Sequence, residues 1–211
     1  MNIDEIKESL IRDKINYSEA FELIKKLPQI WTRKEWIDNR SKKLKDSCFK
    51  CKSKKDLLIQ HDKQPTRFSV LYNAELDKLT KNIKVEDSEI YENLFLNSEN
   101  RQCCPTCKRT VQRTTNDSNF CTKGHSFKNP ILMTYYTKSK TTDIVRAKES
   151  AKAMILFAKI SKIKKEKDLF IGKAALLNAM KESEIYMSMV DTKTYCKSCA
   201  FKEDFYNGLI R

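Results

Sequence analysis

Apolar residues recur at helical spacing near the start of the chain. A first helix is predicted where such residues lie three or four positions apart, at Ile3, Ile6, Leu10 and Ile11. A second short helix is predicted from Ser18 to just before Pro28, because proline ends a helical pattern. Thr32 and Glu35 then have the spacing of a capping box.

The capping box predicts a third helix from Arg33 to about Lys45, with Trp36 and Ile37 facing inward. This helix is rich in basic residues and leads directly to the first cysteines of the sequence.

The second half of the chain carries a longer helical pattern. Residues 70–100 are predicted to form acidic helix and loop. Thr141 or Thr142 is the expected N-cap of a long helix that ends in the basic cluster at 162–167. A further helix is predicted over about 168–188, which makes helix the dominant secondary structure.

The composition agrees with a helix-rich α+β fold. Only 3 Gly and 4 Pro occur in 211 residues, which disfavours turn-dense sandwiches and barrels. No apolar run approaches the ~20 residues needed to cross a bilayer. The chain begins Met-Asn-Ile-Asp-Glu, without the charged and then apolar pattern of a signal peptide. We therefore expect a cytoplasmic protein without a membrane partner.

Positive charge is concentrated in two segments. The formal net charge is +14, from 42 basic and 28 acidic residues. Residues 101–167 contain 16 basic and 4 acidic side chains, and residues 33–67 contain 12 and 5. Residues 71–100 reverse the balance, with 3 basic and 7 acidic side chains. Such segregation is typical of a protein with one face for a polyanion, and the predicted partner is nucleic acid.

Eight cysteines point to metal binding. Three CxxC pairs occur, and a tight turn between two such cysteines directs both sulfurs toward one ion, at Cys48/Cys51, Cys104/Cys107 and Cys196/Cys199. In a cytosolic protein, thiols without a metal stay reduced, so a disulfide framework is not expected. A remote alternative is that one CxxC pair is a redox dithiol, although no βαβ pattern surrounds any of them.

The middle pair predicts a local site. Thirteen residues after Cys107 comes a CxxxH sequence, so the predicted ligands are Cys104, Cys107, Cys121 and His125. This stretch resembles a zinc ribbon, with residues 110–119 as strands and turn. Cys103 is a second candidate for the place of Cys104, because three residues separate it from Cys107. Since CPxC is the commoner sequence of a zinc knuckle, we assign Cys104 as the ligand and treat Cys103 as a spare thiol that binds no metal.

The remaining four cysteines are expected to meet across more than 140 residues, as a site of Cys48, Cys51, Cys196 and Cys199. The alternative joins Cys48/Cys51 to Cys104/Cys107 and leaves Cys121, His125, Cys196 and Cys199 as the second site. Both arrangements predict two structural Zn²⁺ ions, which would lower the formal charge from +14 to about +11.

A resemblance follows from three sequences in order: Cys48-Phe49-Lys50-Cys51, the strand-like Leu57-Leu58-Ile59-Gln60-His61, and Cys196-Lys197-Ser198-Cys199. A knuckle, a strand ending in His and a CxxC that opens a helix resemble a treble clef, in the form found in zinc-stabilised HNH (ββα-metal) nucleases. About 30 residues carry the resemblance, and they are split by the insertion that contains the ribbon and the long helices.

The resemblance implies a catalytic role for His61 as general base, with a divalent Mg²⁺ or Mn²⁺ stabilising the phosphate charge. The chain departs from the family pattern at Gln60, where a metal-binding Asp or His is frequent, and at Ala200, where the family has His or Asn. Asp62 and Asp204 are the carboxylates within reach of His61 as replacements.

The implied organisation has five parts. They are N-terminal helices (1–45), a treble-clef module (46–68 and 190–211), an acidic helical connection (69–100), a zinc-ribbon-like module (101–137) and a helical segment (138–189).

The sequence predicts a zinc-stabilised nucleic-acid-binding protein that acts on DNA, and the resemblance implies an HNH-type endonuclease. The alternative is an inactive two-zinc scaffold that binds DNA or RNA or docks a protein. The expected phosphate contacts are Lys108, Arg109 and Arg113 in the ribbon and Lys42, Lys43 and Lys45 near the first knuckle. Phosphate-loop, GxSxG and HExxH motifs are absent from the sequence.

Overall fold

The structure, a computed structural model, describes residues 1–206, so residues 207–211 of the predicted 190–211 segment lie outside the described part. It is a mixed α and β fold in which helix predominates, as predicted. The helices are α1 (Ile3–Ile11), α2 (Tyr17–Lys25), α3 (Lys34–Lys43), α4 (Phe68–Thr80), α5 (Asp87–Leu96), α6 (Ile144–Met187) and α7 (Lys197–Tyr206). The strands are β1 (Leu57–His61), β2 (Ser98–Cys103), β3 (Val111–Thr114), β4 (Asn119–Cys121), β5 (Ser126–Phe127), β6 (Ile131–Tyr136) and β7 (Thr192–Cys196).

The strands form three small antiparallel sheets. β1 pairs with β7, so that Leu57 lies opposite Cys196 and His61 opposite Thr192. β2 pairs with β6, and β3, β4 and β5 form a three-stranded sheet in that order. None of the helices within residues 1–206 combines the length and apolar character that a membrane span requires.

The contacts divide the chain into two units. The first unit contains residues 1–79 and the described residues from 167 onward, and the second contains residues 80–166. The core of the first unit is formed by helix residues, namely Ile6, Leu10, Ala20, Leu176 and Met180. The core of the second unit is formed where α5 packs on the first part of α6, through Ile90, Leu94, Ala147 and Ala151.

One carboxylate organises the helices of the first unit. Asp168 on α6 accepts hydrogen bonds from the hydroxyls of Tyr17, at 2.8 Å, and Tyr72, at 2.6 Å. Burial and the hydrogen bond to this carboxylate raise the pKa of Tyr17, and they raise the pKa of Tyr72 further. Both phenols therefore remain protonated donors at neutral pH, and they tie α2 and α4 to α6.

The structure corrects the predicted helix boundary in the second half of the chain. Instead of one helix that ends at the 162–167 cluster and another over 168–188, a single helix runs from Ile144 to Met187. The cluster contains Lys and Glu, which favour helix, and it has no Gly or Pro to end the backbone hydrogen bonding. Asp168 has a residue type that is common at N-caps, but its carboxylate instead accepts the hydrogen bonds of the two tyrosines.

The predicted start of the third helix is also wrong in detail. α3 begins at Lys34 and its N-cap, Arg33, makes no side-chain capping bond. The Thr32 hydroxyl donates to the carbonyl of Gln29 within a short 3₁₀ turn, so it does not cap the helix. Ile37 is 48% exposed, against the prediction that it faces inward.

Candidate metal centres and basic cleft

The first group of ligands, which we name the four-cysteine cluster, comprises Cys48, Cys51, Cys196 and Cys199. One ligand atom from each lies within 4.8 Å of the others. The pairing of β1 with β7 brings the two halves together, because Cys196 ends β7 and lies opposite Leu57, shortly after the first knuckle. Cys199 is in the first turn of α7. A distance of 3.5 Å separates the sulfurs of Cys51 and Cys196.

The backbone of the first knuckle is fixed on both sides. The amide of Lys52 donates to the carbonyl of Cys48 at 3.1 Å, and Lys52 has a positive φ of 60°, which turns the chain back after Cys51. The amide of Phe49 donates to the carbonyl of Thr194 at 2.7 Å, which attaches the knuckle to β7. Cys48 itself is fully buried.

The second group, which we name the ribbon cluster, comprises Cys104, Cys107, Cys121 and His125, and its ligand atoms also lie within 4.8 Å of one another. The amide of Lys108 donates to the carbonyl of Cys104 at 2.9 Å with a φ of 58°, so this knuckle repeats the turn of the first one. Gly124, with a φ of 79°, turns the chain between Cys121 and His125. A β-branched residue in place of Gly124 would strain this turn.

The donor geometry fits tetrahedral zinc in both clusters. A tetrahedral ion with Zn–S bonds of ~2.3 Å separates two sulfurs by about 3.8 Å, and a sulfur from an imidazole nitrogen by about 3.6 Å. Cys107 and Cys121 have sulfurs 3.5 Å apart, and the Cys104 sulfur lies 3.6 Å from Nδ1 of His125. A disulfide would require ~2.05 Å, and all eight cysteines are free. The structure thus brings together the two predicted sets and not the alternative pairing.

The thiol pKa values differ widely within the four-cysteine cluster. Although burial raises the pKa of Cys48, hydrogen bonds from backbone amides, including that of Cys51, lower it to about 6. Burial and then the neighbouring thiols raise the pKa of Cys199 to about 12. A cluster of thiols at this spacing ionises fully only when a positive ion offsets the repulsion between thiolates.

Cys103 lies outside the ribbon cluster. Its sulfur donates to the carbonyl of Arg101 at 3.6 Å, and burial raises the pKa of the thiol. It is therefore a protonated core cysteine beside the ligands, in agreement with the choice of Cys104 from the CPxC sequence.

His61 is held tightly in the first unit. Its Nε2 lies 2.9 Å from the carbonyl of Tyr186, and its ring stacks on that of Tyr186 with 3.6 Å between centroids. Because a carbonyl only accepts, Nε2 carries the proton in the neutral ring and Nδ1 is the unprotonated nitrogen. Burial lowers the pKa of His61, against the opposing effects of the Tyr186 bond and Asp62, so the neutral ring is favoured.

The two candidate carboxylates have other partners. Asp62 is paired with the ammonium of Lys193 at 2.9 Å. Asp204 accepts a hydrogen bond from the side-chain amide of Gln60. His61 and Asp204 do line a common cleft of about 330 Å³. Among the described residues, however, these three side chains do not form a group of metal ligands; only the two cysteine-containing clusters do.

A larger cleft of about 810 Å³ lies beside the ribbon cluster, within the second unit. It is bounded by the knuckle at 107–110, the face of β6 that carries Met133 and Tyr135, and the start of α6. Four cationic side chains line it, namely Lys108, Arg109, Lys140 and Arg146. Within the described chain none of the four makes an ion pair.

The predicted phosphate contacts fall into three places. Lys108 and Arg109 line the cleft. Arg113 lies on β3, with its guanidinium 5.9 Å from the ring centroid of Phe120. Lys42, Lys43 and Lys45 lie at the end of α3 and just after it, in the other unit.

Sequence reasoning missed Lys140, Arg146 and Tyr135 as members of the cleft. Each belongs to a different element, so no local spacing marks them as neighbours. The only available signal was the excess of basic residues over 101–167.

Comparison with known proteins gives no match to a family model, to a curated protein or to a solved structure.

Proposed function

We propose that the protein is a zinc-stabilised nucleic-acid-binding protein whose main contact surface is the basic cleft of the second unit. The observation that carries this proposal is the set of four cations in one cleft without acidic partners among the described residues. Basic side chains on a folded surface are commonly neutralised by acidic neighbours. A cluster left unneutralised attracts a polyanion, and a phosphate backbone provides several charges at regular spacing.

Each cysteine-containing cluster holds one structural Zn²⁺ in this proposal. Three or four thiolates with tetrahedral spacing favour zinc over magnesium or calcium, which prefer oxygen ligands. In each cluster the ion would join the two chain segments that carry its ligands. In the four-cysteine cluster the ion joins residues more than 140 positions apart, and the knuckle, the β1–β7 pair and α7 would together form the treble clef.

Salt dependence tests the binding proposal. Labelled DNA, titrated with the protein at 50–300 mM KCl, should lose affinity on the order of several hundredfold if four phosphates are neutralised. Affinity that stays constant over this range would contradict the proposal, since counterion release is the source of the binding energy. Complete absence of binding at 50 mM would instead favour the alternative of a scaffold that docks a protein partner.

A second candidate function, hydrolysis of phosphodiesters at His61, has one observation in its favour. The bond from Nε2–H to the Tyr186 carbonyl leaves Nδ1 unprotonated, as a general base requires, and the ring lines the same cleft as Asp204. The pairing of Asp62 with Lys193 and of Asp204 with Gln60 weighs against it, since Mg²⁺ or Mn²⁺ would have to compete with these donors for the carboxylate oxygens.

A nicking assay separates binding from hydrolysis. Supercoiled plasmid is incubated with wild type and His61→Ala in the presence of Mg²⁺, Mn²⁺ or Ni²⁺. Nicking by wild type that His61→Ala abolishes, with unchanged DNA affinity, supports the nuclease. Equal nicking by the two proteins, or none by either, removes His61 from any hydrolytic role.

A further inference from the structure

The floor of the basic cleft is formed by β6, one strand of the β2–β6 sheet. Alternate residues of a strand share one face, so Met133 and Tyr135 lie on the same side of β6, and both line the cleft. Arg101 and Glu99 of β2 lie opposite them in the antiparallel register. The cleft therefore has an apolar and aromatic floor below a cationic rim.

Tyr135 has a cation over its ring. The guanidinium of Arg101 lies 4.2 Å from the centroid of its ring, and Arg101 is in turn paired with Glu99. The tyrosine is half-buried, so part of the ring remains accessible. An aromatic ring stacked on a guanidinium is a flat platform of the kind on which a nucleobase stacks.

A side-chain hydrogen bond joins two parts of the rim, the knuckle and the start of α6. The hydroxyl of Thr142 donates to the carbonyl of Lys108 at 3.2 Å, which joins the knuckle to the start of α6. Among the described residues, Asp143 is the only acidic side chain of the lining, and it accepts hydrogen bonds from the amides of Val145, at 2.9 Å, and Arg146, at 3.4 Å. The Asp143 carboxylate thus caps the N-terminus of α6. With one acidic and four basic side chains, the described lining of the cleft has a net positive charge.

We propose that this cleft binds unpaired nucleotides, with a base on the Tyr135 platform and the flanking phosphates on Lys108, Arg109, Lys140 and Arg146. The inference rests on the proposed nucleic-acid binding and adds the form of the ligand. The bases of a duplex are stacked on one another and cannot reach an aromatic side chain in a cleft, whereas the bases of a single strand can. A duplex would contact the rim cations alone.

The test compares a single strand with a duplex. Fluorescence anisotropy at 100 mM KCl measures the affinity of a 12-nucleotide single-stranded DNA, an RNA of the same sequence and the corresponding DNA duplex. We expect wild type to prefer a single strand, DNA or RNA. Tyr135→Ala should weaken single-strand binding about tenfold, the size of one lost stacking contact, and leave duplex binding unchanged.

Two further variants separate stacking from folding. Tyr135→Phe keeps the ring and should retain single-strand affinity. Tyr91→Ala removes a tyrosine that also has a cation over its ring, Lys148 at 4.4 Å, but lies outside the cleft, and should have no effect. Inorganic polyphosphate, which has phosphates but no bases, should compete with the labelled single strand much less well than the same concentration of unlabelled strand.

The outcomes distinguish this inference from the proposed function. If wild type binds single strand and duplex equally and Tyr135→Ala changes neither affinity, the base platform is wrong while nucleic-acid binding stands. Equal competition by polyphosphate leads to the same conclusion. If wild type binds none of the three probes, the proposed function fails and this inference fails with it.

Discussion

Replacing Arg146 with glutamine should remove one phosphate contact from the cleft. Each neutralised phosphate contributes about 0.7 to the slope of log affinity against log salt on a single strand, and about 0.9 on a duplex. Four cations line the cleft, and none of them forms an ion pair with another described residue, so wild type should have a slope of about −2.8 on a single strand. Arg146→Gln should have a slope of about −2.1, which corresponds to about fivefold weaker binding at ~0.1 M salt and convergence at about 1 M.

The assay is anisotropy of a labelled oligonucleotide at five KCl concentrations between 50 and 300 mM. Lys152→Gln is the matched control, because it removes the same charge from an exposed position of the same helix outside the cleft. Its slope should equal that of wild type. Equal slopes for the two variants would refute the reasoning, since the effect would then come from net charge and not from a contact in the cleft.

Three further predictions concern single residues. Cys104→Ser should lose one equivalent of zinc, whereas Cys103→Ser should keep both, as mass spectrometry of the intact protein would show. His61 should titrate below its ordinary pKa of ~6.5 in NMR spectra, because burial favours the neutral ring. The buried neutral imidazole therefore stabilises the folded state above pH ~6.5, and this stabilisation is lost as the pH falls through the folded-state pKa. Gly172→Ala should lower the free energy of unfolding by roughly 1 kcal/mol or more in urea denaturation, despite alanine's higher helix propensity, because the added Cβ collides with the Tyr17 ring. A higher His61 pKa, or a stabilised alanine variant, would contradict the respective arguments.

The individual CxxC knuckles could be predicted from the sequence because each depends only on local spacing. A CxxC knuckle is a property of a few residues, and the repeat of the same turn at Lys52 and Lys108 shows how little of the remaining fold it requires. The choice of partner for Cys48 and Cys51 was harder, since it depends on the pairing of β1 with β7. Spacing alone left that choice open.

The helix boundaries could be predicted less well. Thr32 has the residue type of an N-cap but donates its hydroxyl to Gln29, and such competition between local hydrogen bonds is not visible in a sequence pattern. Asp168 has the residue type of a helix start near 168, but its carboxylate accepts hydrogen bonds from two tyrosines of distant helices, which a local sequence pattern does not reveal.

The cleft could not be predicted as a site. Arg146, Lys140 and Tyr135 belong to α6, to the preceding turn and to β6, and they meet only because the β2–β6 sheet packs beside the knuckle. The basic excess over 101–167 indicated a polyanion partner but not which side chains face it.

The most direct test of the account is the metal content of the purified chain, measured by native mass spectrometry before and after chelation. We expect two zinc ions per chain, with loss of folded structure when both are removed, because the ligands of each cluster are held within 4.8 Å without any disulfide. A folded chain that contains no zinc, or whose CxxC pairs are oxidised to disulfides, would contradict it and would favour a thiol redox protein.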